Sequence, residues 1–317
     1  MSKIKLGTKA HIDWNRAVNI GILVILMCAA TIANPSFLTL SNLLGILEQN
    51  AAKGVMALGV MFVLITGGID LAMETGLTMI AVVSSIIHIN AGGNTALLVL
   101  LGAVNGFLIT KLKLLPFVAT LGMMSVAEGI TYWVSEGELM FLNAPGVGFI
   151  GRGKVFGVIP FQTICFIGMA VIAAVILYRT RLGVATYALG SNEDAASYCG
   201  INTARQKFKV YVLEGMFLGV AALLTVSRVG QISPNLGSGS MMDAIAAAVI
   251  GGTSTMGGRG TVSGTIIGTL IMGVLINALT FMSIPVNAQS AIKGLVILIA
   301  IITDAVFANV RAKKGKT

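Results

Sequence analysis

Acidic residues within apolar sequence are the groups of this chain best suited to bind or move a polar solute. Asp70 and Glu74 lie in the segment ITGGIDLAMETG, at the end of its GGID and just before its final Thr-Gly, respectively. Glu128 and Glu214 lie in or near other apolar runs. A charged residue inside a bilayer is costly and usually lines a pathway or has a partner. The double glycine at 67–68 could end a helix and expose backbone groups to a polar pathway. The alternative for each acid is a helix end near the membrane interface.

The sequence offers no arrangement typical of catalysis or of a metal site. The histidines are isolated and the cysteines are widely spaced: His11, His88, Cys28, Cys165 and Cys199. No nucleophile stands beside a base, and the pattern G-x-x-x-x-G-K-[ST], which cradles nucleotide phosphates, is absent. The segment GGTSTMGGRG has the glycines without the Lys-Ser/Thr ending. We therefore expect no metal, no cofactor, no ATP binding and no enzyme activity in this chain.

The composition predicts a protein that lies in a lipid bilayer. The chain is 56% hydrophobic and 10% charged, whereas soluble domains carry about 25% charged residues. Its 39 glycines favour close helix packing, and its 6% aromatic content argues against a β-barrel. We attribute the net charge of +9 to cytoplasmic loops and not to nucleic-acid binding. The predicted fold is an all-α, polytopic membrane helical bundle.

About ten apolar segments approach the length of roughly 20 residues that crosses a bilayer. They lie at 17–34, 43–66, 76–91, 95–110, 116–135, 161–178, 208–228, 241–257, 261–282 and 288–309. The short pair 76–91 and 95–110 could instead form one re-entrant hairpin. The segment 136–160 is rich in glycine and contains two prolines, so we predict a loop.

Clusters of Lys and Arg indicate the orientation, because cytoplasmic loops carry more of these residues. The clusters are Lys3, Lys5, Lys9 and Arg16; Lys111 and Lys113; Arg179, Arg181, Arg205, Lys207 and Lys209; and Arg311, Lys313, Lys314 and Lys316. An even number of spans brings all four clusters to one side. We therefore expect cytoplasmic N- and C-termini and an external loop at 136–160, where Arg152 and Lys154 are exceptions to the rule.

A polar segment, ALGSNEDAASYCGINTARQKFK at 188–209, interrupts two long apolar runs. Asn192 is suited to begin a helix, acids and alanines follow it, and Gly200 is suited to end it. A helix of about two turns is marginal in water by itself. It must pack on its own bundle or, through its alanines, Tyr198 and Ile201, dock in a groove on a partner protein.

Residues 190–202 resemble the cytoplasmic coupling loop of the permease subunits of sugar-type ABC importers, the ribose, xylose, arabinose and galactose permeases. Blocks at 57–71 (ALGVMFVLITGGIDL) and 243–279 (DAIAAAVIGGTSTMGGRGTVSGTIIGTLIMGVLINAL) resemble the same family, with shorter ones at 42–51 and 115–130. The blocks keep the family's order over nearly the whole chain. The resemblance implies one transmembrane permease domain over residues 1–317, with its coupling loop at about 179–207.

The resemblance also implies partners and a mechanism. Two permease copies, identical or related, form the pathway in the bacterial plasma (inner) membrane; a cytoplasmic ABC ATPase docks on the loop, and an extracytoplasmic sugar-binding protein delivers the solute. ATP is bound by the ATPase. The coupling residues so implied are Asn192, Glu193, Ala195, Ala196, Gly200 and Ile201, with Arg205, Lys207 and Lys209 anchoring the loop at the membrane face.

Candidate residues of the translocation pathway come from the two glycine motifs and from polar residues within spans. They are Gly67, Gly68, Asp70, Asn105, Gly251 and Gly252. For Asn105, hydrogen bonding between helices is the alternative role. The chain departs from the family pattern at 72–75, which introduces Glu74, and at 240–242, where Ser-Met-Met replaces an aromatic and an acid. The solute stays open among pentose, hexose, polyol and a sugar-like signal.

An ion-coupled secondary transporter is the alternative function. Asp70, Glu128 and Glu214 could support it, because ion-coupled carriers often place acids on the pathway. Such a carrier has no need of a docking helix at 188–207. A membrane enzyme is a third possibility, and it lacks a catalytic cluster.

Overall fold

The computed structural model describes the backbone of residues 14–91, 104–141 apart from 106, 109 and 113, and 147–314, and most side chains between 18 and 302. Helices dominate this part of the chain: α1 Trp14–Ala33, α2 Leu40–Ile65, α3 Met73–Ala91, α4 Pro116–Ser135, α5 Val147–Arg152, α6 Phe161–Arg179, α7 Arg181–Ser191, α8 Glu193–Tyr198, α9 Thr203–Val229, α10 Ser240–Ile250, α11 Val262–Phe281 and α12 Val286–Lys314. Residues 104–111 are helical where described. The strands have two residues each: β1 Met140–Phe141, β2 Lys154–Val155, β3 Ile159–Pro160 and β4 Gln231–Ile232. The prediction of a helical bundle is confirmed.

Helix α2 lies at the centre of the bundle. It is buried almost continuously from 51 to 65 and contacts α6, α9, α10 and α11. Glycines permit the closest approaches: a Cβ on Gly54 would lie 2.5 Å from the Phe166 ring, and one on Gly59 would lie 2.9 Å from Phe217 Cβ. Packing through small residues is typical of helices in membranes, where the lipid offers no hydrophobic drive between them.

The connections between helices lie at two ends of the bundle. At one end, Asn42 and Asn277 each donate an amide N–H to the other's Oδ1 at 3.0 Å, and β1 pairs antiparallel with β4. At the other end, the backbone N–H of Gly258 donates to the carbonyl oxygen of Ile65 at 2.8 Å. The segment that contains α7 and α8 lies at this second end, which we call the α8 end.

Four of the described helices, α4, α6, α9 and α11, are long and apolar enough to cross a membrane. Each coincides with a predicted span. Shorter apolar helical stretches lie at 18–32, 73–86, 240–250 and 286–302. The predicted pair at 76–91 and 95–110 falls partly outside the described residues.

The predicted span at 241–257 is wrong in its length. Its helix, α10, has 11 residues and ends at Ile250, so it rises about 16 Å at 1.5 Å per residue. That is roughly half of the ~30 Å hydrocarbon core. The turn Gly251–Gly252 ends the helix, because Gly252 has a φ of +91°, which favours glycine.

The segment 136–160, predicted as a loop, contains more structure than expected. It holds α5 and a small hairpin formed by β2 and β3. Helix α5 packs closely on α9, where a Cβ on Gly151 would collide with the carbonyl oxygen of Ser227. Apolar residues such as Phe149 and Phe161, whose ring centroids lie 5.3 Å apart, hold the segment to the bundle.

Candidate functional site

The short helix α8 begins and ends as its sequence predicts. Asn192 Oδ1 accepts a hydrogen bond from the backbone N–H of Ala195 at 2.8 Å, which satisfies one of the free donors of the first turn. After the helix, Gly200 has a φ of +83°, and the N–H of Ile201 donates to the carbonyl oxygen of Ala196 at 3.1 Å. A glycine in the left-handed conformation, followed by an N–H that donates back to a carbonyl oxygen of the helix, is a common helix ending.

Helix α8 has an exposed side and an anchored side. Tyr198 is 91% exposed, whereas Ala196 is 4% exposed and packs on the protein itself. Glu193 pairs with Lys207 of α9, with 2.7 Å between Oε2 and Nζ. Lys207 therefore ties α8 to α9, and most of the other side chains of α8 face outward.

The preceding helix, α7, is fixed to the α8 end of the bundle by close backbone contacts. A Cβ on Gly190 would collide with the carbonyl oxygen of Ile65 and would lie 2.7 Å from Gly258 N. The Tyr187 hydroxyl donates to the carbonyl oxygen of Gly260 at 2.6 Å. Burial, with a smaller contribution from Tyr178, raises the pKa of Tyr187 to about 12, so the hydroxyl keeps its proton at neutral pH.

The start of α9 is held against α7 as well. Asn202 Oδ1 accepts from the N–H of Arg205 at 2.8 Å and so caps α9. The Gln206 amide donates to the carbonyl oxygen of Leu182 at 2.8 Å and to Thr186 Oγ1 at 2.9 Å. Helices α7, α8 and α9 thus form one folded unit, which connects the exposed helix α8 to the central helices.

Inside the bundle, the break between α2 and α3 at 66–72 gathers buried polar groups. Asp70 Oδ1 accepts from the N–H of Ala72 at 2.8 Å, and Asp70 Oδ2 accepts from the Asn105 amide at 3.0 Å. The carboxyl group of Glu214 on α9 lies within hydrogen-bonding reach of Asp70. A Cβ on Gly68 would lie 2.7 Å from Tyr211 Oη. The structure therefore brings Asp70 and Asn105, which were named separately as pathway candidates, into one hydrogen bond between elements, and adds two residues of α9.

The other predicted pathway glycines pack elements together. A Cβ on Gly251 would collide with the carbonyl group of Gly264, so this glycine lets the end of α10 approach the start of α11. Gly67, with a φ of +76°, lies beside Gly257 of the loop that follows α10. These glycines belong to the α8 end.

A second polar cluster surrounds the start of α10. Asp243 is 4% exposed and pairs with two ammonium groups, Lys53 at 2.5 Å and Lys293 at 3.1 Å. Glu74 Oε2 accepts from the backbone N–H of Gly239 at 3.0 Å, immediately before the helix. Sequence reasoning missed this cluster, although a lysine between Ala and Gly in an apolar run was a usable signal. Among the described residues, no group of three His, Cys, Asp or Glu side chains is placed to hold a metal ion.

Comparison with known proteins places the chain among transport proteins. The family described as branched-chain amino acid transport system/permease component matches residues 42–301. The ribose import permease protein RbsC of Bacillus subtilis is 40% identical over 294 residues, which cover 89% of this chain and 90% of that protein. RbsC of Escherichia coli K12 is 37% identical over 309 residues, with 94% and 95% covered.

More distant relatives extend the same picture. The L-arabinose transport system permease protein AraH of Escherichia coli K12 is 30% identical over 299 residues, which cover 92% of this chain and 90% of AraH. No solved structure gives a significant match. The chain therefore belongs to the family of branched-chain amino acid transport system permease components, as a multi-pass membrane permease.

Proposed function

We propose that this chain is the membrane-spanning permease subunit of an ABC importer that moves a sugar or sugar-like solute into the cytoplasm. A separate ATPase subunit docks on the loop at 190–202 and supplies the energy. An extracytoplasmic binding protein delivers the solute, and a second permease copy completes the pathway in the inner membrane. The ribose and arabinose permeases among the relatives support a sugar as the solute class.

The observation that carries this proposal is the construction of α8. A six-residue helix has little stability of its own, yet here it is capped at both ends and held to α7 and α9. It nevertheless presents Tyr198 with 91% of its surface exposed. A large aromatic side chain held out by a rigid support is typical of a contact residue in an interface.

The contacts of α7 and α9 provide a route from this helix to the membrane interior. α7 contacts the end of α2 and the glycine loop after α10 through Gly190. α9 carries Tyr211 and Glu214 to the break beside Asp70. A displacement of α8 by the ATPase would therefore move both the end of α2 and the polar groups of the break, which is what alternating access requires.

Within this mechanism each predicted coupling residue has a separate part. Asn192 sets the start of α8, and Gly200 and the backbone N–H of Ile201 set its end. Ala196 packs the helix on the bundle, and Glu193 links it to α9. The exposed residues, Ala195 among them, form the contact surface with the ATPase. We assign no ATP binding to this chain. The alternative of an ion-coupled carrier is not favoured by the relatives.

Co-purification tests the docking proposal. The tagged full chain is extracted in mild detergent, and its partners are identified by mass spectrometry. We expect an ABC ATPase to co-purify with the wild-type chain and to be lost from Tyr198→Asp. The matched control is Phe156→Ala, because Phe156 is also 91% exposed but lies in the β2–β3 hairpin. Retention of the ATPase by Tyr198→Asp, or its absence from the wild type, would contradict the proposal.

A further inference from the structure

Two carboxyl groups, those of Asp70 and Glu214, contact each other inside the bundle. Each residue is 2% exposed, and their carboxyl groups lie within hydrogen-bonding reach of each other. An ionised carboxylate can only accept hydrogen bonds. A direct hydrogen bond between two carboxyl groups therefore requires one proton on the pair.

The remaining contacts indicate which of the two groups carries that proton. Both oxygens of Asp70 already accept hydrogen bonds, one from the N–H of Ala72 and one from the Asn105 amide. Such donors stabilise the ionised form of a carboxylate. Glu214 Oε1, in contrast, is buried and has no hydrogen-bond partner among the described residues. An ionised Glu214 would therefore be a poorly solvated charge, whereas a protonated Glu214 donates its O–H to Asp70.

The surrounding charged groups do not neutralise the carboxyl pair in place of the proton. Within the part of the chain that the structure describes, no salt bridge reaches either carboxyl. On the neighbouring helices, Lys53 is paired with Asp243, and Glu74 accepts from the N–H of Gly239. Tyr211 is the other titratable group beside the pair, and its hydroxyl also has no partner among the described residues. A second negative charge at the pair would repel the first at close range in a medium of low dielectric constant.

We propose that Asp70 and Glu214 form a proton-binding site within the membrane, in which protonated Glu214 joins α9 to the break between α2 and α3. The proton is bound by Glu214, shared with Asp70 through one hydrogen bond, and takes no part in a covalent step. Because α9 begins at the coupling loop, the same bond connects that loop to the break. This last consequence depends on the proposed function, whereas the proton site itself does not.

Infrared spectroscopy of the purified full chain in lipid nanodiscs tests the site without any transport assay. The readout is the carbonyl stretch of a protonated carboxyl group, compared between the wild type and Glu214→Gln at neutral pH. We expect the wild type to carry one band component that Glu214→Gln lacks. Glu138→Gln is the control, since Glu138 is exposed outside the described helices, and it should keep the component. A difference spectrum that contains only ionised carboxylate bands would overturn the proposal.

A second sample keeps the test decisive if Glu214→Gln does not fold. Wild-type protein is prepared with carboxyl-labelled glutamate and, separately, with carboxyl-labelled aspartate. We expect a protonated-carboxyl component that persists in alkaline buffer to shift with the glutamate label and not with the aspartate label. A component that moves only with aspartate, or no persistent component at all, would contradict the assignment. Failure of ATP-driven transport would leave both spectra unchanged, so the two proposals are tested separately.

Discussion

At the level of single residues, Gly200 ends α8 because its backbone adopts a left-handed angle, and not because a side chain would lack room there. Its φ is +83°, and a Cβ built on it would meet no atom within 4 Å. Residues with a side chain lose roughly 1–2 kcal/mol in this region, and β-branched residues are the least tolerated there. The residue matters for the path of the chain between α8 and α9.

We therefore predict that Gly200→Val weakens the attachment of the ATPase and ATP-driven uptake, while the membrane helices stay folded. Gly200→Asn is the matched control, because asparagine tolerates the left-handed region. Measurements of ATPase co-purification and of thermal unfolding for both variants check this. Normal coupling in Gly200→Val would remove the support for a fixed end of α8.

Glu74 is the second residue with a defined structural role, because its carboxyl group accepts a hydrogen bond from the backbone N–H of Gly239 at the start of α10. A hydrogen bond of this kind typically contributes about 0.5–1.5 kcal/mol to stability. We predict that Glu74→Ala lowers the melting temperature and changes the rate or solute profile of uptake. Glu48→Ala, on the half-buried outer part of α2, is the control. Unchanged stability and an unchanged solute profile would show that Glu74 does not tune the pathway.

At the level of elements, hydrophobic runs predicted the positions of the helices well, because each lipid-facing helix needs a long apolar stretch. α4, α6, α9 and α11 all follow their predicted spans. The same reasoning failed for α10, since the glycine pair that ends it lies within an apolar run.

The pairing of side chains was not predictable: Lys53 and Asp243 lie 190 residues apart, and only the packing of α2 on α10 brings them together. Asp70 and Glu214 meet for the same kind of reason.

The contact between α7 and α2 leads to a further prediction. A Cβ on Gly190 would collide with the backbone of Ile65, and overpacking of this kind costs about 1–3 kcal/mol. We expect Gly190→Ala to lower the melting temperature and to weaken coupling together. Gly168→Ala on α6 is the control, because no atom lies within 4 Å of its Cβ position. Equal stability of the two variants would contradict a close α7–α2 contact.

The charged cluster at α10 gives another prediction at this scale. Asp243 is buried and faces two lysines, so its removal leaves two ammonium groups near each other without their carboxylate. We expect Asp243→Asn to destabilise the protein and Lys53→Met to restore part of the loss in the double variant. Thermal unfolding of the single and double variants measures this coupling. Strictly additive effects would mean that Lys53 and Asp243 do not interact.

At the level of the whole molecule, one polar loop and one buried polar break are connected through a single long helix. The family and the exposed α8 support an ATP-driven importer, and the membrane acids alone would also have fitted an ion-coupled carrier. The distinguishing feature is the source of energy: under the proposed function transport requires an attached ATPase, whereas an ion-coupled carrier requires an ion gradient.

The most direct measurement of this central claim is solute uptake into proteoliposomes that contain the chain with whatever ATPase co-purifies. The assay compares internal ATP, applied proton or sodium gradients, and neither, with ribose, arabinose and other sugars presented with their binding protein. We predict uptake of at least one sugar that requires ATP and is lost in Tyr198→Asp. Uptake driven by an ion gradient, by the chain alone and without ATP, would contradict the assignment.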